Sequence, residues 1–180
     1  MTGTMSLGVA IIAGMLGSAG VSLPTAPHGE SAGPDLSTID AAIEGLYASI
    51  SGPKGQERDW EMYDAVFAEN ARMGAVVGAA DGETRFIEMT PDDYKAQSGP
   101  FLVTAGFTEK ETHRVLEVYG TVAHAWSSYH GTFVRENGVE GTVTGINSIQ
   151  LVKQDGQWRV TSIQWESTDT AGDIPAKYLD

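Results

Sequence analysis

The stretch from Gly145 to Trp165 reads GINSIQLVKQDGQWRVTSIQW. Two runs of alternating apolar and polar residues flank the turn Gln154–Gln157, and the Asp-Gly pair at its centre favours a β-hairpin. This hairpin closes a long strand-like region that begins at Phe107 and follows three helix-like segments. Helices first and antiparallel strands afterwards predict an α+β domain, in which a curved sheet carries helices on one face.

Two of the helices come early in the chain. The first is predicted from an apolar stripe at helical spacing, with Ser37 as its cap and Ser51–Pro53 as its end. The second is predicted to begin at Asp59, a residue suited to capping, and to end near Asn70. The stripe of the first helix consists of Ile39, Ile43, Leu46, Tyr47 and Ile50.

A third helix and six strands complete the pattern. This helix has Thr90 as its cap and is expected to stop at Gly99-Pro100. Two short strands precede it, and four long strands follow it, joined by short turns that make them antiparallel neighbours. The predicted strands are Arg72–Val77, Thr84–Met89, Thr108–Tyr119, Val122–Val134, Gly141–Lys153 and Gln157–Thr168.

The order α-α-β-β-α-β-β-β-β resembles the nuclear transport factor 2-like superfamily, including its SnoaL-like and ketosteroid-isomerase-like members. Three segments carry the resemblance: SISGPKGQERDWEMYDAVFAENARM, YGTVAHAWSSYHG and the closing GINSIQLVKQDGQWRVTSIQWE. It covers Asp35 to about Thr168 and is closest to bacterial members without an assigned activity.

The resemblance implies a cone-shaped α+β barrel, with a curved, largely antiparallel mixed sheet wrapped around the N-terminal helices to enclose a pocket. It also implies a homodimer formed through the sheet. Ketosteroid isomerases, dehydratases, epoxide hydrolases, polyketide cyclases and non-catalytic binding proteins all share this fold. The fold therefore leaves the function open.

Composition narrows the range of partners. The 180 residues carry 24 acidic and 11 basic side chains, a net charge of −13, and no cysteine. Such a chain is a poor ligand for nucleic acid or for an anionic membrane surface. Without cysteine it forms no disulfide or thiolate metal site. Small molecules and other proteins are the expected partners.

The segments outside the domain are predicted from their composition. Residues 1–26 contain the apolar run Leu7–Leu16, which is too short for a membrane span but suits a secretory signal. A flexible linker (27–34), a single domain (35–170) and a C-terminal tail (171–180) follow. We expect a periplasmic or secreted protein, or a cytoplasmic one if the leader is not a signal.

Candidate ligand-binding residues follow from alternation and from apolar spacing. Asn147 shares a strand face with Ile149, so if Ile149 is core, Asn147 points into the cavity. The alternative is an asparagine that only satisfies backbone groups. The strand Val122–Val134 has two mixed faces, and the sequence does not say which is inside. The predicted ligand-binding residues are Trp60, Tyr63, Phe67, Tyr129, Asn147 and Ile149.

Histidine is the first candidate for acid–base chemistry because its pKa lies nearest neutrality. His113 and His130 lie on neighbouring predicted strands, with His113 opposite about Ser128, so they could share a face. The alternative is a surface or dimer-interface pair. Only Glu111 and Glu117 share the face of His113 by parity, so we expect no metal site, and no cofactor is implied.

A carboxylate and a phenol form a second candidate pair. Asp59 and Tyr63 could face the pocket mouth as catalytic groups. The structural alternative makes Asp59 a helix cap and Tyr63 a core residue, with Arg58 paired to an acid.

Two functional hypotheses remain from the sequence. One is a pocket protein that binds a small apolar or amphipathic molecule without catalysis. The other is a cofactor-independent lyase, isomerase or hydrolase with a histidine base and with tyrosine, aspartate or asparagine as orienting groups. A structural dimer with a filled core is a third possibility.

Overall fold

The structure, a computed structural model, describes residues 33–79 and 82–179. The predicted leader and most of the predicted linker lie outside these residues. The elements are α1 (Ile39–Ile50), α2 (Trp60–Val66), β1 (Phe67–Gly78), β2 (Thr84–Met89), α3 (Pro91–Ala105), β3 (Thr108–Tyr119), β4 (Val122–Val134), β5 (Glu140–Gln154), β6 (Gln157–Ser167), α4 (Thr168–Ala171) and a 3₁₀ helix (Ala176–Tyr178).

The strands form one curved, six-stranded mixed sheet in the order β2-β1-β6-β5-β4-β3. Only β1 and β6 run parallel, and all other neighbours are antiparallel. The predicted α+β class and the predicted long antiparallel strands are confirmed. No helix in the described ranges is both long and apolar enough to cross a membrane.

The closing hairpin has the predicted geometry. Asp155 and Gly156 have φ angles of 51° and 80°, and two positive φ angles at the centre of a two-residue turn define the type that matches strand twist. The strands β5 and β6 therefore pair from Gln154↔Gln157 upward, and Ile149 faces Ile163 in the buried part of the ladder.

Two predicted boundaries near the helices are wrong. Thr38, not Ser37, caps α1, because its side chain accepts a hydrogen bond from the backbone of Ala41 at 3.1 Å. The helix α2 ends at Val66, and β1 begins at Phe67 because this residue pairs with Val160 of β6. Asn70 absorbs the resulting irregularity with a φ of 65°, which asparagine tolerates better than most residues.

The helix α3 also continues past its predicted end. Pro100 lies inside it, and the helix stops only at Gly106, whose φ of 64° gives a left-handed cap. Leu102 is fully buried in this extra turn, and its carbonyl accepts the backbone N–H of Gly106. Burial of this turn outweighs the hydrogen bond that proline removes.

Arg58 is not paired with an acid as predicted. Its guanidinium is buried and donates to the carbonyl oxygens of Gln56, Gly52 and Leu102, the first two at 2.7 and 2.9 Å. Arg58 thus joins the loop after α1 to the C-terminal turn of α3, where a cation also suits the helix dipole.

The structure assigns the two faces of β4, which the sequence left open. Ala123, Ala125 and Tyr129 are buried and face the helices, and we call this side of the sheet the inner face. Trp126 and His130 lie on the opposite, outer face. The 3₁₀ helix packs on the outer face, where the Tyr178 ring lies 5.6 Å from that of Trp126.

A bulge in β3 changes which of its residues face inward. Glu111 pairs with Tyr129, but His113 pairs with Ser128, so one residue of β3 is left over between them. An extra residue reverses the alternation of side chains. Glu111 therefore lies on the inner face and His113 on the outer face, which corrects the prediction that they share a face.

Candidate functional site

A cavity lies between the inner face of the sheet and the helices, and it encloses about 70 Å³. Most of its wall is apolar. The lining residues are Leu46, Tyr47, Ile50, Tyr63, Met73, Val76, Tyr94, Phe107, Glu109, Tyr129, Val143, Asn147, Ile163, Trp165 and Ser167.

Among the described residues, Glu109 is the only carboxylate in this wall, and hydrogen bonds fix the backbone around it. The hydroxyl of Ser51 at the C-terminus of α1 donates to the Glu109 carbonyl at 3.0 Å and accepts its N–H at 2.8 Å. Next to this contact, Gly52 donates its N–H to the carbonyl of Phe107 at 2.9 Å. The end of α1 thus holds the start of β3 in register with the cavity.

Burial controls the protonation of Glu109. Desolvation raises the pKa of Glu109 to about 8, and a hydrogen bond from the Asn147 side chain works in the opposite direction. No lysine, arginine or histidine is among the lining residues, so no cation in the wall offsets the cost of burying the charge. Glu109 is therefore mostly protonated at neutral pH and becomes a base as the pH rises through 8.

Two tyrosine hydroxyls near Glu109 are uncommitted. Within the described part of the chain, neither Tyr94 nor Tyr129 donates or accepts a side-chain hydrogen bond. Burial and the nearby Glu109 raise the pKa of both phenols, so they remain neutral O–H donors. By contrast, Tyr63 donates to the carbonyl of Pro91 at 3.1 Å.

Asn147 connects the cavity to a polar cluster behind it. Its amide nitrogen lies 3.0 Å from the Tyr47 hydroxyl, which lies 2.6 Å from the Ser127 hydroxyl. Tyr47, Ser127 and Asn147 are all buried. The polar groups of α1, β4 and β5 therefore satisfy one another by hydrogen bonds, as buried polar groups must.

Solved structures with the same architecture were found at low sequence identity. A nuclear transport factor 2-like protein from Salmonella enterica serovar Typhimurium is 20% identical, with a TM-score of 0.56 over 76% of this chain and 94% of the other. A protein from Novosphingobium aromaticivorans, provisionally assigned as a scytalone dehydratase, is 18% identical, with a TM-score of 0.53 over 72% and 81%. The chain has the nuclear transport factor 2-like fold.

A type 2 hexachlorocyclohexane dehydrochlorinase shares this fold at 12% identity, with a TM-score of 0.53 over 72% of this chain and 82% of the other. No protein-family model matches the sequence, and no curated protein matches it. The resemblance seen in the sequence is thus confirmed at the level of the nuclear transport factor 2-like fold.

Three of the predicted site residues line the cavity of this fold, and six do not. Those in the wall are Tyr63, Tyr129 and Asn147. Phe67 and Ile149 belong to the surrounding core. Trp60 lines a separate surface hollow, and Asp59 caps α2 by accepting the N–H of Met62 at 2.9 Å.

The sheet register confirms that His113 lies opposite Ser128 and shares a face with His130, but it corrects the prediction that they serve the pocket. His113 and His130 are both on the outer face, and neither is among the lining residues of the cavity. His130 lies beside Thr144, with Nδ1 3.3 Å from the threonine hydroxyl. A base for this nuclear transport factor 2-like cavity must therefore come from another residue, and Glu109 is the carboxylate that lies there.

Sequence reasoning missed Glu109, Tyr47 and Tyr94. Glu109 lies two residues before Glu111 on the inner face, but uniform parity along β3 assigns both to the side of His113. Tyr47 is part of the predicted apolar stripe of α1, where a tyrosine looks like core. A signal did exist, because Glu109 lies two residues after the buried Phe107 and so shares its side of the strand.

Within residues 33–79 and 82–179, no group of three or more histidine, aspartate or glutamate side chains is arranged to hold a metal ion. Glu117 lies beside His124, with its carboxylate 4.0 Å from Nδ1. Glu111 instead pairs with Arg114.

Proposed function

We propose that the protein is a cofactor-independent acid–base enzyme of the lyase or isomerase class, which moves a proton on a small neutral molecule. Glu109 is the proton-transferring group. One observation carries this proposal: the only carboxyl in the cavity wall has no cationic neighbour there and lies beside two uncommitted tyrosine hydroxyls. A strongly perturbed carboxyl in a cavity is a mark of functional sites.

The chemistry follows from the groups present. The Glu109 carboxylate takes a proton from a carbon next to a carbonyl, and the electron pair of the broken C–H bond moves to the carbonyl oxygen. A hydroxyl of Tyr94 or Tyr129 donates a hydrogen bond to that oxygen. Return of the proton to a different carbon gives isomerisation, and loss of a β-leaving group gives elimination.

The size of the cavity restricts the substrate. A volume of about 70 Å³ exceeds the share of one water, about 30 Å³, and is far below the roughly 300 Å³ of sites for drug-sized ligands. A compact, largely apolar molecule with one or two acceptor oxygens fits such a wall. Two of the structural neighbours are named for elimination reactions, which supports this class.

Deuterium exchange tests the proposal without knowledge of the natural substrate. Acetone, butanone and cyclopentanone are incubated with the protein in D₂O, and incorporation next to the carbonyl is followed by proton NMR. We expect saturable exchange at least about 100-fold faster than with Glu109→Gln, the usual scale of general-base catalysis. The rate should rise with pH and level off above pH 8.

The matched control is His130→Gln, which changes a titratable group on the outer face. Its exchange rate should equal that of the wild type. If Glu109→Gln exchanges as fast as the wild type, or if neither exceeds the buffer rate, the enzymatic proposal is overturned.

The second candidate function is binding without catalysis of a small apolar or amphipathic molecule. The predominance of apolar side chains in the wall favours it. In this case the ketones perturb the NMR signals of the lining residues, but no deuterium is incorporated. The same NMR sample therefore distinguishes binding from catalysis.

We also propose a homodimer formed through the outer face of the sheet. Tyr119, Val122 and Trp126 lie on that face with 86%, 51% and 36% of their surface exposed. A second copy of this chain would cover these apolar groups. Sedimentation velocity should show a dimer for the wild type and a monomer for Val122→Glu, and a monomeric wild type would rule this dimer out.

A further inference from the structure

We propose that Tyr47, Ser127 and Glu111 are positioning residues for Glu109. They form a buried chain of hydrogen bonds, and the directions of these bonds require Asn147 to present an N–H to the Glu109 carboxyl. This role rests on the proposed function of Glu109. The chain begins at Glu111 on the inner face of β3 and passes through Ser127 of β4. It continues through Tyr47 of α1 and reaches the cavity at Asn147 of β5.

The direction of the hydrogen bonds is set first at Glu111. Arg114 binds both of its carboxylate oxygens, with Nε to Oε1 at 2.9 Å and Nη2 to Oε2 at 2.6 Å. Asp40 holds the other edge of the guanidinium, with Oδ1 2.5 Å from Nη1. A carboxylate gripped in this way is charged and can only accept hydrogen bonds.

The direction of each later bond follows from the one before it. Ser127 lies 2.5 Å from Glu111 Oε1 and must donate its single hydroxyl hydrogen there. It can then only accept from Tyr47, 2.6 Å away, so Tyr47 donates to Ser127. The Tyr47 oxygen has no second hydrogen, and it must accept from the amide nitrogen of Asn147 at 3.0 Å.

The last bond of the chain decides which side of the Asn147 amide faces the cavity. An asparagine amide has two N–H donors on one side and a carbonyl on the other, and the bond to Tyr47 decides which side faces Glu109. The second N–H of Asn147 then stabilises the charged form of Glu109, the form that acts as a base. Tyr47, whose hydrogen is used in the chain, is not available to donate to a substrate.

Among the described residues that line the cavity, Glu109 is the one with an ionisable carboxyl, and the charges of Glu111, Arg114 and Asp40 are paired with one another behind the wall. The titratable groups that face Glu109 are Tyr47 from α1, Tyr94 from α3 and Tyr129 from β4, and burial keeps the pKa of all three phenols above its ordinary value. Since none of them titrates near pH 8, the orientation of Asn147 is the adjustable influence on Glu109.

Removal of Ser127 tests the chain. In Ser127→Ala, Tyr47 loses its acceptor and turns its O–H toward Asn147, and the amide reverses to present its carbonyl to Glu109. That arrangement favours protonated Glu109. We expect its proton affinity to rise about tenfold, the loss of one hydrogen bond to a charged group. Tyr47→Phe should act in the same direction, because it removes the oxygen that accepts from the Asn147 amide.

The measurement is a carbon-13 NMR titration of the Glu109 carboxyl in the full-length protein. Ser128→Ala is the matched control. Ser128 is equally buried and adjacent, but it points to the outer face, where its hydroxyl donates to the Tyr178 carbonyl at 2.7 Å. Ser128→Ala should leave the Glu109 titration unchanged.

The outcomes separate the two proposals. A Glu109 that titrates near pH 8 in the wild type and at the same pH in Ser127→Ala overturns the chain and leaves the proposed function intact. An ordinary Glu109 titration in the wild type overturns the proposed function itself. If Ser127→Ala does not fold, an unchanged Glu109 titration in Tyr47→Phe overturns the chain.

Discussion

At the scale of single residues, the cavity divides its tyrosines by what their hydroxyls contact. The Tyr63 hydroxyl is bound to the carbonyl of Pro91, and the Tyr47 hydroxyl belongs to the chain that ends at Glu111. Within the described residues, the hydroxyls of Tyr94 and Tyr129 have no hydrogen-bond partner. The same residue type therefore serves stability at two positions and is open to binding at two others.

Tyr129→Phe tests this division. Because its hydroxyl has no partner in the described protein, its loss should change the free energy of unfolding by less than about 0.5 kcal/mol. The ketone exchange rate should fall by about tenfold or more, since a donor to the developing oxyanion is lost. Urea unfolding and the exchange assay measure the two effects.

Tyr63→Phe is the counterpart. It leaves the Pro91 carbonyl with one partner fewer and should cost about 1 kcal/mol of stability, with a smaller effect on exchange. Equal losses of exchange rate in the two variants would contradict the assignment of Tyr129 as a ligand donor.

At the scale of elements, the sequence predicts well wherever a ladder is regular. The hairpin of β5 and β6 was placed almost to the residue because its turn type is specified by Asp155-Gly156. The register shifts by one residue at Thr161 of β6, but the alternation along β5 is unbroken. The same alternation puts Asn147 on the buried face with Ile149, as predicted.

The sequence fails where backbone irregularities intervene. The bulge between Glu111 and His113 leaves no local mark, yet it decides which acids and histidines reach the cavity. The continuation of α3 through Pro100 likewise depends on the burial of Leu102, a tertiary contact. For this reason alternation alone put Glu111 on the face of His113 and missed Glu109.

Arg58 offers a test of how elements are joined. In Arg58→Ala the buried carbonyl oxygens of Gly52 and Leu102 lose their donor, and we expect a loss of about 3 kcal/mol in the free energy of unfolding. Arg72→Ala removes an arginine whose side chain is 57% exposed and lies 3.7 Å from Glu88, and should cost less than about 0.5 kcal/mol. Similar losses in urea unfolding would show that Arg58 does not join α1 to α3.

At the scale of the whole molecule, the partly buried Glu109 links folding to pH. Its pKa is about 8 in the folded protein and about 4.5 when exposed, so the folded state holds this proton more tightly. Between these pH values the folded state binds more protons than the unfolded state, and stability falls as the pH rises. Below the lower value Glu109 contributes no pH dependence.

Comparison with Glu109→Gln isolates this contribution. The free energy of unfolding of the wild type, minus that of the variant, should decrease between pH 5 and pH 9. Urea unfolding at several pH values measures it. A difference that stays constant would mean that Glu109 is not buried in the manner described.

Export also belongs to this scale and stays a prediction, because Leu7–Leu16 lies outside the described residues. Mass spectrometry of the mature N-terminus in a bacterial host tests it. Cleavage after the small residues that follow Leu16 would agree with the prediction, and an intact Met1 would contradict it.

The most direct test of the whole account is the titration of Glu109 itself. Carbon-13 labelling of glutamate side chains, with Glu109→Gln to assign the signal, follows this one carboxyl from pH 4 to pH 10. The account predicts a midpoint near pH 8, well separated from the exposed glutamates. A midpoint near 4.5 would show that Glu109 is solvated and would remove the base from the proposed site.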